Sequence, residues 1–266
     1  MLPFKCFLLL INLFFSRNLS KQSNVFLCYG KVPIYKIINY DYVILEASHY
    51  SISEVSVLKK NNKHIICYLS LGEFNKYTSF YNEAKSFKLL GKNEVWDSYY
   101  LDLSKKSLQK ILLKDIASKI VKKGFDGLFL DNIDNYCTYG KQKHKQKDLL
   151  DFLTLIKKKF PSIYLMQNAG LEIIDKTNSL INSIAIESII TNYNFKSKEY
   201  FFREKQQSKE KIFQIKAIQK KYNIPFIIIE YTDKTKDKRK IARKLRRYKW
   251  NVFIGQIDLQ SKPKFK

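Results

Sequence analysis

Glycine and proline are scarce in this chain, at 8 and 5 of 266 residues, and no glycine-rich phosphate loop occurs. With so few turn-formers, no Pro/Gly/Ser-rich linker divides the sequence, and its length suits one domain. Only 3 histidines are present, which argues against a histidine-based metal site; no metal and no cofactor is expected. The 4 cysteines do not form a CxxC pair or a disulfide framework, and Cys28 and Cys67 fall within apolar stretches where cysteine behaves as a small hydrophobe. Acids are the minority charge, 24 against 49 Lys and Arg, giving a net charge of +25.

The excess of base has two readings. One is binding to nucleic acid, an anionic polysaccharide or a membrane surface. The other is compositional: lysine is abundant throughout and falls mainly on helix faces. The second is favoured, so no specific nucleic-acid partner is expected. The densest run, residues 234–249, holds ten Lys or Arg against one Asp. Ile241, Leu245 and Tyr248 give it an apolar stripe, which predicts a helix on an outer wall.

Long apolar runs are also missing. The longest candidate, Cys6–Phe15 after Lys5, is ten residues, short for a membrane span and suited to the core of an export signal. Residues 1–20 are expected to be that signal and 21–266 the folded domain, secreted or periplasmic, with no stable membrane span once the signal is gone. An uncleaved anchor and a first buried strand are the alternatives.

What is present is a repeated unit: an apolar strand ending in an acid or an amide. Gly127-Leu128-Phe129-Leu130 runs into Asp131, Asn132 and Asp134. Other strands end at Tyr29, Glu46, Glu73, Gln167-Asn168, Glu187, Glu230-Tyr231 and Gln256. Between them lie amphipathic helical patterns over 105–123, 149–160, 205–222 and 237–248. Tyr99-Tyr100-Leu101-Asp102 reads as a short extension entering a helix, with Asp102 or Ser104 as cap. Strand–helix alternation predicts a parallel sheet, and eight strands in a chain of this size predict a (β/α)8 barrel. An open doubly wound sheet is the alternative, but it would not need acids converging from so many strands.

In a barrel the strand C-termini surround one bowl. Two carboxylates across a bowl suit glycoside hydrolysis, one protonating the leaving oxygen and the other attacking the anomeric carbon or activating water. Asp131 and Glu187 are the candidate pair, with Glu187 as acid/base and Asp131 as nucleophile in a retaining reaction. Tyr29, Glu46, Glu73, Asp134, Gln167, Asn168, Glu230 and Tyr231 are candidates for lining the bowl and holding substrate. Each taken singly could instead be a helix cap, a support or an ion pair to a lysine.

The motifs Tyr68-Leu69-Ser70-Leu71-Gly72-Glu73, Gly124 to Asp134, Gln167-Asn168-Ala169-Gly170, Glu187-Ser188 and Glu230-Tyr231 together resemble those of glycoside hydrolase family 114. That is the endo-α-1,4-polygalactosaminidase family. The resemblance covers roughly residues 25–258. It implies a TIM barrel, export, and hydrolysis of α-1,4-linked galactosamine-containing exopolysaccharide, with the catalytic acids falling on Asp131 and Glu187. A barrel that binds polysaccharide without cleaving it, and a basic module for anionic polymers, are the rival expectations.

Overall fold

The computed structural model describes residues 25–78, 81–87 and 90–266. The expected export signal lies outside them. Eight short parallel strands pair in chain order: β1 (Val25–Cys28), β2 (Tyr42–Leu45), β3 (His64–Ser70), β4 (Gly127–Asp131), β5 (Tyr164–Asn168), β6 (Ser183–Glu187), β7 (Phe226–Tyr231) and β8 (Asn251–Gly255). Parallel pairing requires a crossover between strands, and helices on the outside supply most of them. The sheet curls into a nearly closed barrel. At the seam, the Tyr29 N–H donates to the Leu259 carbonyl at 2.7 Å. Gly30 lies so close to that segment that a Cβ there would sit 2.0 Å from the Gln260 carbonyl oxygen.

The helices follow the sequence pattern closely. α1 (Ile52–Asn61) starts with a capping box, the Ser51 hydroxyl accepting from the Glu54 N–H and the Glu54 carboxylate from the Ser51 N–H. α2 (106–122) carries a π-helical stretch at Ile111–Ala117. There the Ser118 hydroxyl donates to the Leu113 carbonyl at 3.0 Å, meeting an acceptor that the wider turn frees. α3 (Gln146–Lys159), α4 (Lys205–Tyr222) and α5 (Thr235–Leu245) are the other long helices, and single turns of helix lie at Tyr81–Ala84 and Ile174–Thr177. α5 is the expected basic helix: Ile241 and Leu245 are buried, its cations lie outward, and the Lys240 ammonium stands over the Phe202 ring at 3.9 Å.

Alternation along the strands divides the core in two. One layer fills the space between barrel and helices. The other fills the barrel itself, with Leu27, Ile44, Ile66, Phe129, Met166, Ala185, Ile229 and Phe253 pointing inward. The N-terminal floor is aromatic: His64 packs on Tyr42 at 5.3 Å and on Tyr164 at 5.0 Å between ring centroids. The barrel is therefore filled and floored, and opens only at its C-terminal mouth.

Two additions decorate that mouth. After β3, Glu73–Phe74, Lys92–Asn93 and Ser98–Tyr100 form a small antiparallel sheet with Ser98–Tyr100 in the middle. The expected extension at Tyr99 is thus a strand of this sheet. Asp102 is not the cap of α2: its carboxylate takes the Ser104 N–H, the Ser104 hydroxyl and the Lys145 ammonium, and Lys105 occupies the cap position. After β6, Thr191–Asn194 and Glu199–Phe202 form a hairpin.

Candidate active site

Inward-facing side chains of the last strand residues converge at the mouth. Asp131 ends β4, Asn168 ends β5 and Glu187 ends β6. The Asn168 side-chain nitrogen donates to Asp131 Oδ1 and to Glu187 Oε1, each at 2.7 Å. Those two oxygens are thus no more than twice that distance apart. The outer oxygens are held as well: Tyr68 Oη donates to Asp131 Oδ2 at 2.9 Å, and Tyr231 Oη donates to Glu187 Oε2 at 2.6 Å. Burial, then the negative charge of the carboxylate each one faces, holds both phenols well above 10, so both stay donors.

The two acids differ in their surroundings. Burial, reinforced by the Asp131 charge, pushes Glu187 up to about 7. Burial also raises Asp131, opposed by donors from Asn168, the Asn132 N–H and Tyr68. Glu187 is thus placed to hold or release a proton near neutrality.

The chain makes this convergence by turning sharply after each strand. Asn132, Ala169 and Ser188, the residues following the three site residues, all have left-handed backbones, with φ of 60, 62 and 56°. Asparagine tolerates that region, whereas for alanine and serine it costs on the order of 1 kcal/mol each. The ladder continues one bond further before the turn: Ala169 N–H reaches the Ala185 carbonyl and Ser188 N–H the Ile229 carbonyl, at 2.9 and 2.8 Å. Arg203 Nε then fixes the Ser188 carbonyl at 2.7 Å. Gly72 lets the β3 loop press against this corner, since a Cβ there would meet Asn132 and Asn135 atoms at 2.6 Å.

Of the expected lining residues, Tyr29, Glu46, Asn168 and Tyr231 face the bowl beside Asp131 and Glu187. The Tyr29 ring lies 4.4 Å from that of Tyr68. Glu46 continues the inward alternation of Tyr42 and Ile44, and burial raises its pKa. Asp134 stands exposed on the rim.

Three residues are elsewhere. Glu230 faces out of the barrel and is completely buried, accepting from the Ile189, Ile190 and Thr191 N–H groups and from the Thr191 hydroxyl. Glu73 accepts from Asn93, Ser98 and Asn135, tying the small sheet to the β4 loop. Gln167 braces the left-handed turn through the Ala169 and Gly170 carbonyls. Period-two alternation gives the reason: Gln167 and Asn168, like Glu230 and Tyr231, are neighbours and cannot share a face. Tyr68 is the bowl residue that sequence reasoning passed over. Its position two residues after the inward Ile66 was the available signal.

Among the described residues, no group of three or more His, Cys, Asp or Glu is arranged to hold a metal ion. Nor is any helix among them long and apolar enough to cross a membrane. Cys28, Cys67 and Cys137 are buried thiols.

A filled parallel barrel that gathers its strand ends at one mouth is a TIM-barrel architecture. The chain belongs to glycoside-hydrolase family GH114, whose family model matches residues 23–262. In fold it is similar to the glycoside hydrolase domain of PelA from Pseudomonas aeruginosa, with a TM-score of 0.78, 24% identity, and coverage of 89% of this chain and 96% of that one. It is also similar to Aspergillus fumigatus Ega3, solved in complex with galactosamine, with a TM-score of 0.69, 17% identity, and coverage of 91% and 93%. A curated relative, the uncharacterized protein MJ1477 of Methanocaldococcus jannaschii, is 25% identical over 164 residues, covering 56% of this chain and 47% of that protein. The chain thus spans about half the length of the curated relative it matches.

Proposed function

We propose that this protein is an exported glycoside hydrolase that cleaves α-1,4-linked galactosamine-containing polysaccharide by a retaining mechanism. The observation that carries the reading is the single Asn168 nitrogen that bridges Asp131 and Glu187. That bridge keeps the carboxyls near the roughly 5–5.5 Å separation of retaining enzymes and short of the roughly 6.5–9.5 Å that admits an inverting water. The family membership and the galactosamine bound in Ega3 support the sugar. The charged-then-apolar start of the chain supports export.

The division of labour follows from the surroundings. Glu187, raised to about 7, carries a proton to the glycosidic oxygen. Asp131, whose carboxylate takes three donors that oppose the effect of its burial, attacks the anomeric carbon. The bond to the leaving sugar breaks as its oxygen takes the Glu187 proton, leaving the glycosyl group on Asp131. Glu187, now ionised, removes a proton from water. That water attacks the same carbon and releases the Asp131 carboxylate, and the one proton it has given up leaves Glu187 protonated as at the start. Two displacements preserve the anomeric configuration. Tyr29, Glu46, Asp134 and Tyr231 would hold hydroxyl and amine groups of the substrate around this centre.

The test is to incubate the mature protein with galactosamine polymers of differing acetylation and to follow products by mass spectrometry and NMR. Oligosaccharides with retained configuration are expected. Asp131→Asn and Glu187→Gln should each lower turnover by roughly three or more orders of magnitude. Near-normal turnover in either variant removes its assigned role, and an inverted first product recasts Asp131 as a base acting through water.

A further inference from the structure

The two additions at the mouth touch each other. Trp96, from the small sheet after β3, meets Phe195, from the hairpin after β6, edge to face at 4.8 Å. Phe195 meets Tyr193 edge-on at 5.1 Å, and Tyr193 tilts against Tyr200 at 4.8 Å. Tyr200 packs on the core inside the barrel, and its hydroxyl accepts the Ile257 N–H at 3.1 Å. An unbroken row of four rings thus runs from the barrel interior to the outer rim. Because β4 and β5 lie between β3 and β6, the contact spans the arc of rim above Asp131 and Asn168.

The outer end of this row is left uncovered. Trp96 is 49% and Phe195 42% exposed, and neither belongs to either core. These two exposed rings touch each other and lie beside the mouth. The inner end is continuous with the bowl, so whatever occupies the bowl and extends past it meets these rings next. An amino-sugar residue suits them: its C–H face stacks on an aromatic ring, and its ammonium, where unacetylated, is attracted to the ring face. Glu94 and Asp97, flanking Trp96 and paired to Lys92 at 3.1 and 2.8 Å, keep the rim from presenting bare positive charge to such a cation.

We infer that Trp96 and Phe195 form a remote subsite that binds amino-sugar residues of the polysaccharide beyond those flanking the cleaved bond. This rests on the function proposed above and adds where the rest of the polymer is held. The chain has 2 tryptophans; Trp250 is 8% exposed, with its indole N–H bonded to Gln219, so Trp96 is the exposed reporter.

Two measurements test it. In the first, the whole protein carrying Glu187→Gln is titrated with short and long α-1,4-galactosamine oligosaccharides while tryptophan emission is recorded. Long oligosaccharides should change the emission and short ones should not. In the second, kcat/KM for long substrate is divided by kcat/KM for short substrate. That ratio should fall about tenfold in Trp96→Ala and in Phe195→Ala. Phe213→Ala, removing a 76% exposed ring on α4, should keep the wild-type ratio. An unchanged ratio in both variants overturns the inference, as does hydrolysis of long substrate with no change in emission. A response to single-stranded nucleic acid and none to galactosamine oligosaccharides overturns it too. If no galactosamine polymer is hydrolysed yet the long oligosaccharide still moves the emission, the proposed function falls and the subsite stands.

Discussion

At the scale of single residues, Glu187 works against the fold that holds it. Its carboxyl titrates near 7 in the folded chain and near the ordinary 4.5 when unfolded. The folded state therefore binds the proton more tightly, and the cost of ionising Glu187 grows as pH rises from about 4.5 to about 7 and is complete above that. Glu187→Gln removes the cost. Its melting temperature should exceed the wild type's by several degrees at pH 8, corresponding to roughly 1–3 kcal/mol, and the gain should vanish near pH 4. A difference independent of pH would mean that Glu187 is not buried as described. The residues that surround Glu187 were only partly legible in the sequence. Asp131, Asn168 and Tyr231 stand out as polar ends of apolar runs. Tyr68 does not, because a tyrosine within a strand reads as core until the inward alternation is counted.

At the scale of elements, the hairpin after β6 hangs on a single carboxylate. Glu230 collects three successive backbone N–H groups and the Thr191 hydroxyl on the outer side of β7. Glu230→Ala leaves those four donors without their acceptor in a buried place, at a cost of about 3 kcal/mol. Amide exchange at Ile189, Ile190 and Thr191 should accelerate strongly, with smaller changes in β1 and β2. Unaltered exchange there would show that the hairpin base is held by other contacts. The barrel strands and the long helices were readable because burial gives them uninterrupted apolar runs and 3.6-residue stripes. The hairpin and the small sheet after β3 were not, since their strands are only two to four residues long and carry neither period clearly. Tyr99 and Tyr100 gave only a hint, and the strand partners Lys92 and Asn93 are polar.

At the scale of the whole molecule, charge is divided by location. The chain carries a net charge of +25, with many of its cations on the outer helices, while Glu46, Asp131, Asp134 and Glu187 gather at the mouth. A cationic, deacetylated polymer is repelled by the whole and attracted only close to the bowl. The Debye length shortens from about 30 Å at 10 mM salt to about 8 Å at 150 mM, so added salt screens the long-range repulsion first. For deacetylated substrate, kcat/KM should rise severalfold over that interval, and for fully acetylated substrate it should hardly change. A fall with salt for the cationic polymer would mean that the acids at the mouth govern approach even at long range.

The aromatic floor of Tyr42, His64 and Tyr164 gives the molecule a sense of traffic. A barrel blocked at one end has a single doorway. No strand of polymer can be drawn through it as through a ring, and both fragments of a cut chain must leave by the way the chain came in. A long chain can only rest across the threshold, dip one stretch of itself inside and lift away again.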